Sequence, residues 1–201
     1  MLGLPKSTEV SKLLPKKAIY AQFKMNTAAK EKIDLDISRI NIVNEVSPSR
    51  VSIEEGKVVK TFFALNIHLK RKDYEEKSII TISNLIPQNM VMILQYEDEA
   101  RLAIYHSKLM QTEWKPIDEF KLELNGLNLD KVWENIIIQI GDLEVKRGRT
   151  LDEQIEIEEK KSKLKKEIEK YEKLARKECQ PKKKFEYVKK INELKTEMEK
   201  L

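Results

Sequence analysis

Five glycines, one cysteine, two histidines and an aromatic content of 6% leave these 201 residues poorly equipped for several kinds of chemistry. A phosphate-cradling loop needs closely spaced glycines, and neither G-x-x-x-x-G-K nor G-x-G-x-x-G occurs. Zinc needs four donors, or three and a water, whereas His68, His106 and Cys179 lie far apart with no second ligand at motif spacing. A single cysteine excludes an internal disulfide. Cys179 lies among bases that would favour its thiolate, but without a base partner it reads as an incidental thiol at an exposed turn. No stretch approaches the roughly 18 apolar residues of a membrane-spanning helix. The start, Met1-Leu2-Gly3-Leu4-Pro5-Lys6, lacks the apolar run of a signal peptide. Together these absences predict a soluble, cytoplasmic protein that carries no metal or other cofactor and has no catalytic residues.

What the chain has is charge. Asp, Glu, Lys and Arg make up 36% of it, and 39 bases outnumber 34 acids, an excess that permits nucleic-acid binding without requiring it. The expected fold class is α+β, with a compact mixed sheet-and-helix body over residues 1–145 and a C-terminal antiparallel coiled-coil helical hairpin over 150–201.

The hairpin is written most plainly. Thr150 and Glu153 have the spacing of a capping box, which sets a helix start. Ile157, Lys161, Leu164, Ile168, Tyr171 and Ala175 then step by four and three, as do Tyr187, Ile191, Leu194, Met198 and Leu201 after Pro181. Two seams joined by Cys179-Gln180-Pro181 imply an antiparallel pair. Its outer face carries the i,i+4 pairs Glu156–Lys160, Glu159–Lys163, Glu169–Lys173 and Glu172–Arg176. At about 1.5 Å per residue the first helix is roughly 40 Å long, enough for an arm. The tip departs from this even mixing of signs, for Arg176, Lys177, Lys182, Lys183 and Lys184 surround one acid, Glu178. Such a knob suits phosphate or an acidic partner. Set against that, lysines are common at exposed turns, and Arg176 and Lys177 suit the C-terminal end of a helix dipole.

In the body, Ser7 or Thr8 is expected to cap a short helix carrying Val10, Leu13 and Leu14, with a helix or strand over 16–23 and a helical turn near Thr27. Ile40, Ile42 and Val43 favour a strand. Residues 58–70 read as a long strand packed mainly by its odd face, Val59 to Leu69. A helix over 73–86, a hairpin of 90–96 with 101–106, and edge strands at 112–115 and 120–124 follow. Asn128 caps a helix whose Leu129, Trp133, Ile136, Ile137 and Ile140 should lie on the sheet, and 141–149, with Lys146, Arg147 and Arg149, reads as a linker.

The remaining constellations are thin. Asn66-x-His68-x-Lys70 has the layout of a nuclease strand but lacks the acid that a hard divalent cation wants, so a polar strand face is the better reading. Glu97, Asp98 and Glu99 read as a solvated turn, and Trp114 and Trp133 as core or docking residues rather than base-stacking platforms.

Leu4-Pro5-Lys6-Ser7-Thr8, the strand 58–70, Ile86-Pro87 leading into 90–96, Thr112-Glu113-Trp114 and the tail 177–201 together resemble the bacterial DUF4391 family, a group named for its unknown function. Its members look like neighbours of helicases and DNA methyltransferases in restriction-modification or phage-defence gene sets. The resemblance implies an accessory role in DNA-targeting machinery. The favoured expectation is therefore a non-catalytic, DNA-binding or helicase-associated subunit whose body makes protein–protein contact with a helicase or DNA methyltransferase and whose tip meets nucleic acid. The alternatives are homodimerisation through the arm and a degenerate metal-dependent nuclease using His68 and Lys70.

Overall fold

Strands form where β-branched and long aliphatic residues concentrate, and in the computed structural model they gather in the first of two units. The structure describes residues 2–146 and 148–201, and the units are Met1–Leu143 and Glu144–Leu201. Arg147, expected in the linker, lies outside the described residues.

The first unit contains β1 (Glu9–Leu13), α1 (Lys16–Gln22), α2 (Thr27–Asp36), β2 (Ile37–Val46), β3 (Phe62–Leu69), α3 (Glu76–Leu85), β4 (Asn89–Tyr96), β5 (Glu99–His106), β6 (Lys108–Gln111), β7 (Lys115–Pro116) and α4 (Leu129–Gly141). The strands pair in the order β1-β2-β3-β4-β5-β6, and β7 also joins β5. Only β3 and β4 run parallel among these pairs, and α3 supplies the crossover that a parallel connection needs.

Side chains alternate between the two faces of a strand. Leu65, Ile67 and Leu69 of β3, with Met90, Met92 and Leu94 of β4, therefore share the face on which α1, α2 and α3 bury Ile19, Tyr20, Ile33, Ile79 and Ile82. The other face is covered by α4. Phe62 meets Trp133 there, ring centroids 5.3 Å apart, and α4 also buries Val132, Ile136, Ile137 and Ile140. Asn128 caps α4 as expected, its Oδ1 accepting from the Lys131 amide at 3.1 Å.

Four local expectations are corrected. Residues 9–13 form an edge strand and not a helix, because Thr8 Oγ1 donates to the Pro5 carbonyl at 2.7 Å and accepts from Asn44 Nδ2 at 2.9 Å, which ties this segment to β2. β3 starts only at Phe62 and is buried on both faces. Asp130 of α4 holds the preceding loop out of the sheet by accepting from the amides of Lys57 at 2.6 Å and Val59 at 2.7 Å. The strand that follows β5 is Lys108–Gln111, placed there by pairing with Ala103 to His106, and of the expected 112–115 only Lys115 falls in a strand, β7. Residues 120–124 form no strand, their amides going instead to the Leu2 carbonyl from Leu122 and to Gln139 Oε1 from Glu123.

The second unit holds α5 (Leu151–Lys177) and α6 (Pro181–Glu199), packed together through Leu164, Ile168, Ile191 and Leu194. The chain is thus of mixed α+β class with a C-terminal helix pair.

Candidate functional site

The helix pair is tied by contacts at its start and near its tip. At its start the capping box is complete, with the Thr150 amide donating to Glu153 Oε2 at 2.7 Å and the Glu153 amide to Thr150 Oγ1 at 3.3 Å. Lys161, the charged seam position, reaches Glu158 at 3.3 Å and so need not enter the apolar seam. Nearer the tip, Tyr171 lies 6.1 Å from Tyr187, and Glu172 meets Lys195 of the facing helix at 3.7 Å and Arg176 at 3.9 Å. Of the four expected i,i+4 pairs, Glu159–Lys163 and Glu172–Arg176 fall within ion-pair distance, both at 3.9 Å.

Only Glu178, Cys179 and Gln180 separate the two helices. Glu178 Oε1 accepts from the Gln180 amide at 3.0 Å, so the one acid of the tip is turned onto the backbone. Arg176, Lys177, Lys182, Lys183 and Lys184 are all exposed. Among the described residues Lys177, Lys182, Lys183 and Lys184 make no ion pair, and Arg176 makes only its long contact with Glu172. α6 begins with Pro181 at its first position, has no side-chain cap, and carries no acid in its first turn. Three lysines therefore crowd the positive end of a helix dipole, where cations are disfavoured. Beside them Phe185 is 70% exposed. Cys179 is exposed with the Lys177 carbonyl 4.0 Å away, and no base among the described residues contacts it to activate it.

The residues of the nuclease-like strand do not converge. Lys70 lies beyond the end of β3 and turns toward α2, its Nζ donating to the Asp34 carbonyl at 2.6 Å. Asn66 Nδ2 donates to Gln95 Oε1 at 2.8 Å. His68 stands opposite Arg39 of β2, and burial first and this guanidinium second depress its pKa. A neighbouring cation opposes a divalent ion there. Among the described residues no group of three His, Cys, Asp or Glu is placed to hold a metal. In the acidic turn, Glu99 is engaged by Lys72 at 2.5 Å. Trp114 is flanked by Lys72 at 5.1 Å and Arg101 at 5.4 Å, with Tyr74 edge-on at 6.5 Å, so cations already occupy the surroundings a base would need.

One feature lay beyond sequence reasoning. A cavity of about 550 Å³ opens between α1 and the sheet, with Ile19, Phe23, Phe63, Leu65, Ile86 and Met90 in its lining. Its one acidic side chain, Glu45, already pairs with Arg50 at 3.1 Å. Such a lining suits an apolar group and offers little to a charged substrate. Only the pairing of β2, β3 and β4 brings these positions together, and no local pattern announces it.

No helix among the described residues is long and apolar enough to cross a membrane. Residues 2–198 match the family described as "Domain of unknown function (DUF4391)". No curated protein and no solved structure matches the chain.

Proposed function

The chain belongs to the DUF4391 family, and we propose that it acts as a non-catalytic accessory subunit of a cytoplasmic DNA-targeting complex of the restriction-modification or phage-defence kind. In this reading the body docks on a helicase or DNA methyltransferase subunit and the arm tip contacts nucleic acid. The observation that carries it is the uncompensated charge of the tip. Five bases surround an acid that is committed to the backbone, in an arm whose helices otherwise mix their signs. Lysines at the start of α6 work against the helix dipole, so they are poorly explained as helix stabilisers. The non-catalytic part rests on the scatter of the reactive groups, with Lys70 turned to α2, His68 beside Arg39, and Cys179 without a base.

An affinity pulldown of the tagged protein from its own cells, with and without nuclease treatment, tests both halves. Recovery of a helicase or methyltransferase that survives nuclease, together with nucleic acid that is lost when Lys182, Lys183 and Lys184 are changed to glutamate, is the expected result. Recovery of the bait alone, with no nucleic acid, would overturn the reading. A second reading, pairing of two arms, draws on Phe185 and Val188, which α6 leaves exposed away from its seam. A monomeric mass at high concentration eliminates it.

A further inference from the structure

Resting on the nucleic-acid reading above, we propose that the arm tip takes single-stranded rather than duplex nucleic acid, with Phe185 stacking on an unpaired base between phosphates held by Lys182 and Lys189. Phe185 is the conspicuous misfit of the arm. The other phenylalanines have apolar surroundings, with Phe62 and Phe120 buried and Phe23 and Phe63 packed against the main core. The two tyrosines of the arm face each other. Phe185 alone stands 70% exposed, in the first turns of α6 and immediately after three lysines.

Its helical neighbours fit the task. Lys182 and Lys189 lie three residues before and four residues after Phe185 and therefore share its face. Both are exposed, and Val188 broadens the apolar surface. Single-strand binders combine positive charge that tracks the backbone with aromatic rings on which bases stack, and this helix face brings both together. A duplex offers the lysines phosphates but hides its base faces, and unstacking must precede any insertion. The charge excess of the tip also speaks for a polyanion over a second copy of this chain, which would bring five more cations to the same place.

Fluorescence anisotropy with the full chain decides the matter, using a mixed-sequence DNA strand of about 16 nucleotides and its duplex. The wild type should bind the strand more tightly. Phe185→Ala should weaken strand binding roughly 5- to 150-fold while leaving duplex affinity and the salt dependence nearly unchanged, and Phe185→Tyr should retain the preference. Equal strand affinity for Phe185→Ala and wild type, or a wild-type preference for duplex, overturns the proposal and leaves the accessory-subunit reading standing. So does a concentration-dependent dimer that Phe185→Ala abolishes. Binding of neither probe overturns this proposal together with the nucleic-acid half of the reading it rests on. Unchanged circular dichroism of Phe185→Ala, whose ring contributes little packing, ties the effect to the contact.

Discussion

Asp36→Ala should destabilise the first unit by about 3 kcal/mol, the low end of the range for breaking a buried ion pair. Asp36 ends α2 and is 1% exposed. Its Oδ1 accepts from Arg71 Nε at 2.7 Å and contacts Arg71 Nη2 at 2.6 Å, while Oδ2 accepts from the Glu75 amide at 3.0 Å and Ser78 Oγ at 3.0 Å. One carboxylate thus ties α2, the turn after β3 and the start of α3 together. Truncation strands the Ser78 hydroxyl and the Glu75 amide, each worth about 1–3 kcal/mol if it finds no substitute. Arg71 contributes less to the loss because its side chain is 43% exposed and can turn to water. Urea denaturation followed by tryptophan fluorescence is the assay, since Trp114 and Trp133 both belong to the first unit and the arm is silent. Arg71→Ala alone should cost less than Asp36→Ala. A loss below about 1 kcal/mol for Asp36→Ala would refute the reasoning, because it would mean the stranded donors relax into other bonds.

Two further outcomes probe the body. His68 has a folded-state pKa depressed by burial and by Arg39, so the neutral ring is favoured in the fold. Its contribution is fully present above the unfolded value near 6.5 and is lost as pH falls toward the folded value. Denaturation midpoints should therefore drop on acidification through this window, and His68→Gln should flatten that drop. Gly56→Ala should destabilise by roughly 1–3 kcal/mol, as overpacking does. A Cβ there would lie 2.3 Å from Asp130 Oδ1 and 2.7 Å from the Asp130 amide, forcing the carboxylate off the loop amides, and loss of protection at Lys57 and Val59 in hydrogen exchange checks it.

What could be read from the sequence was what neighbours in the chain decide. Thr150 with Glu153, Asn128 before an apolar stripe, and the two runs around Glu97 and Asp98 each carry their structure in a few adjacent residues. Residues 9–13 misled because Val10 and Leu13 have helical spacing after a hydroxyl residue, yet Asn44, 36 residues away, claims Thr8 for the sheet. Val58 and Val59 continue the alternation of β3, but Asp130 takes their amides from 72 and 71 residues downstream. The same distance in sequence hid the cavity and the role of Asp36. At the tip the situation reverses, for every residue is local, so its composition was legible, while a ligand of such a knob would belong to another molecule and leave no pattern in this chain.

That locality makes the tip lysines a case in which stability and binding should move in opposite directions. Lys182 and Lys183 occupy the second and third positions of α6, whose first turn has no acid. Each cation there opposes the dipole, and an acid in its place would gain roughly 0.3–1 kcal/mol at low ionic strength. Lys182→Glu with Lys183→Glu and Lys184→Glu should therefore raise the thermal midpoint of the helical signal. Binding should fall at the same time. If all five bases of the tip meet phosphates of a single strand, log affinity changes with log salt at a slope of about −3.5, and three fewer contacts reduce it to about −1.4. Between 50 and 200 mM salt the wild type would then lose about a hundred-fold in affinity and the variant only about seven-fold. Loss of binding with loss of helix would make the lysines part of the packing, and a stabler arm with unchanged binding would remove them from the contact. A stabler arm that no longer binds leaves one account of why three lysines stand where a helix prefers acids: they are held there by what they bind.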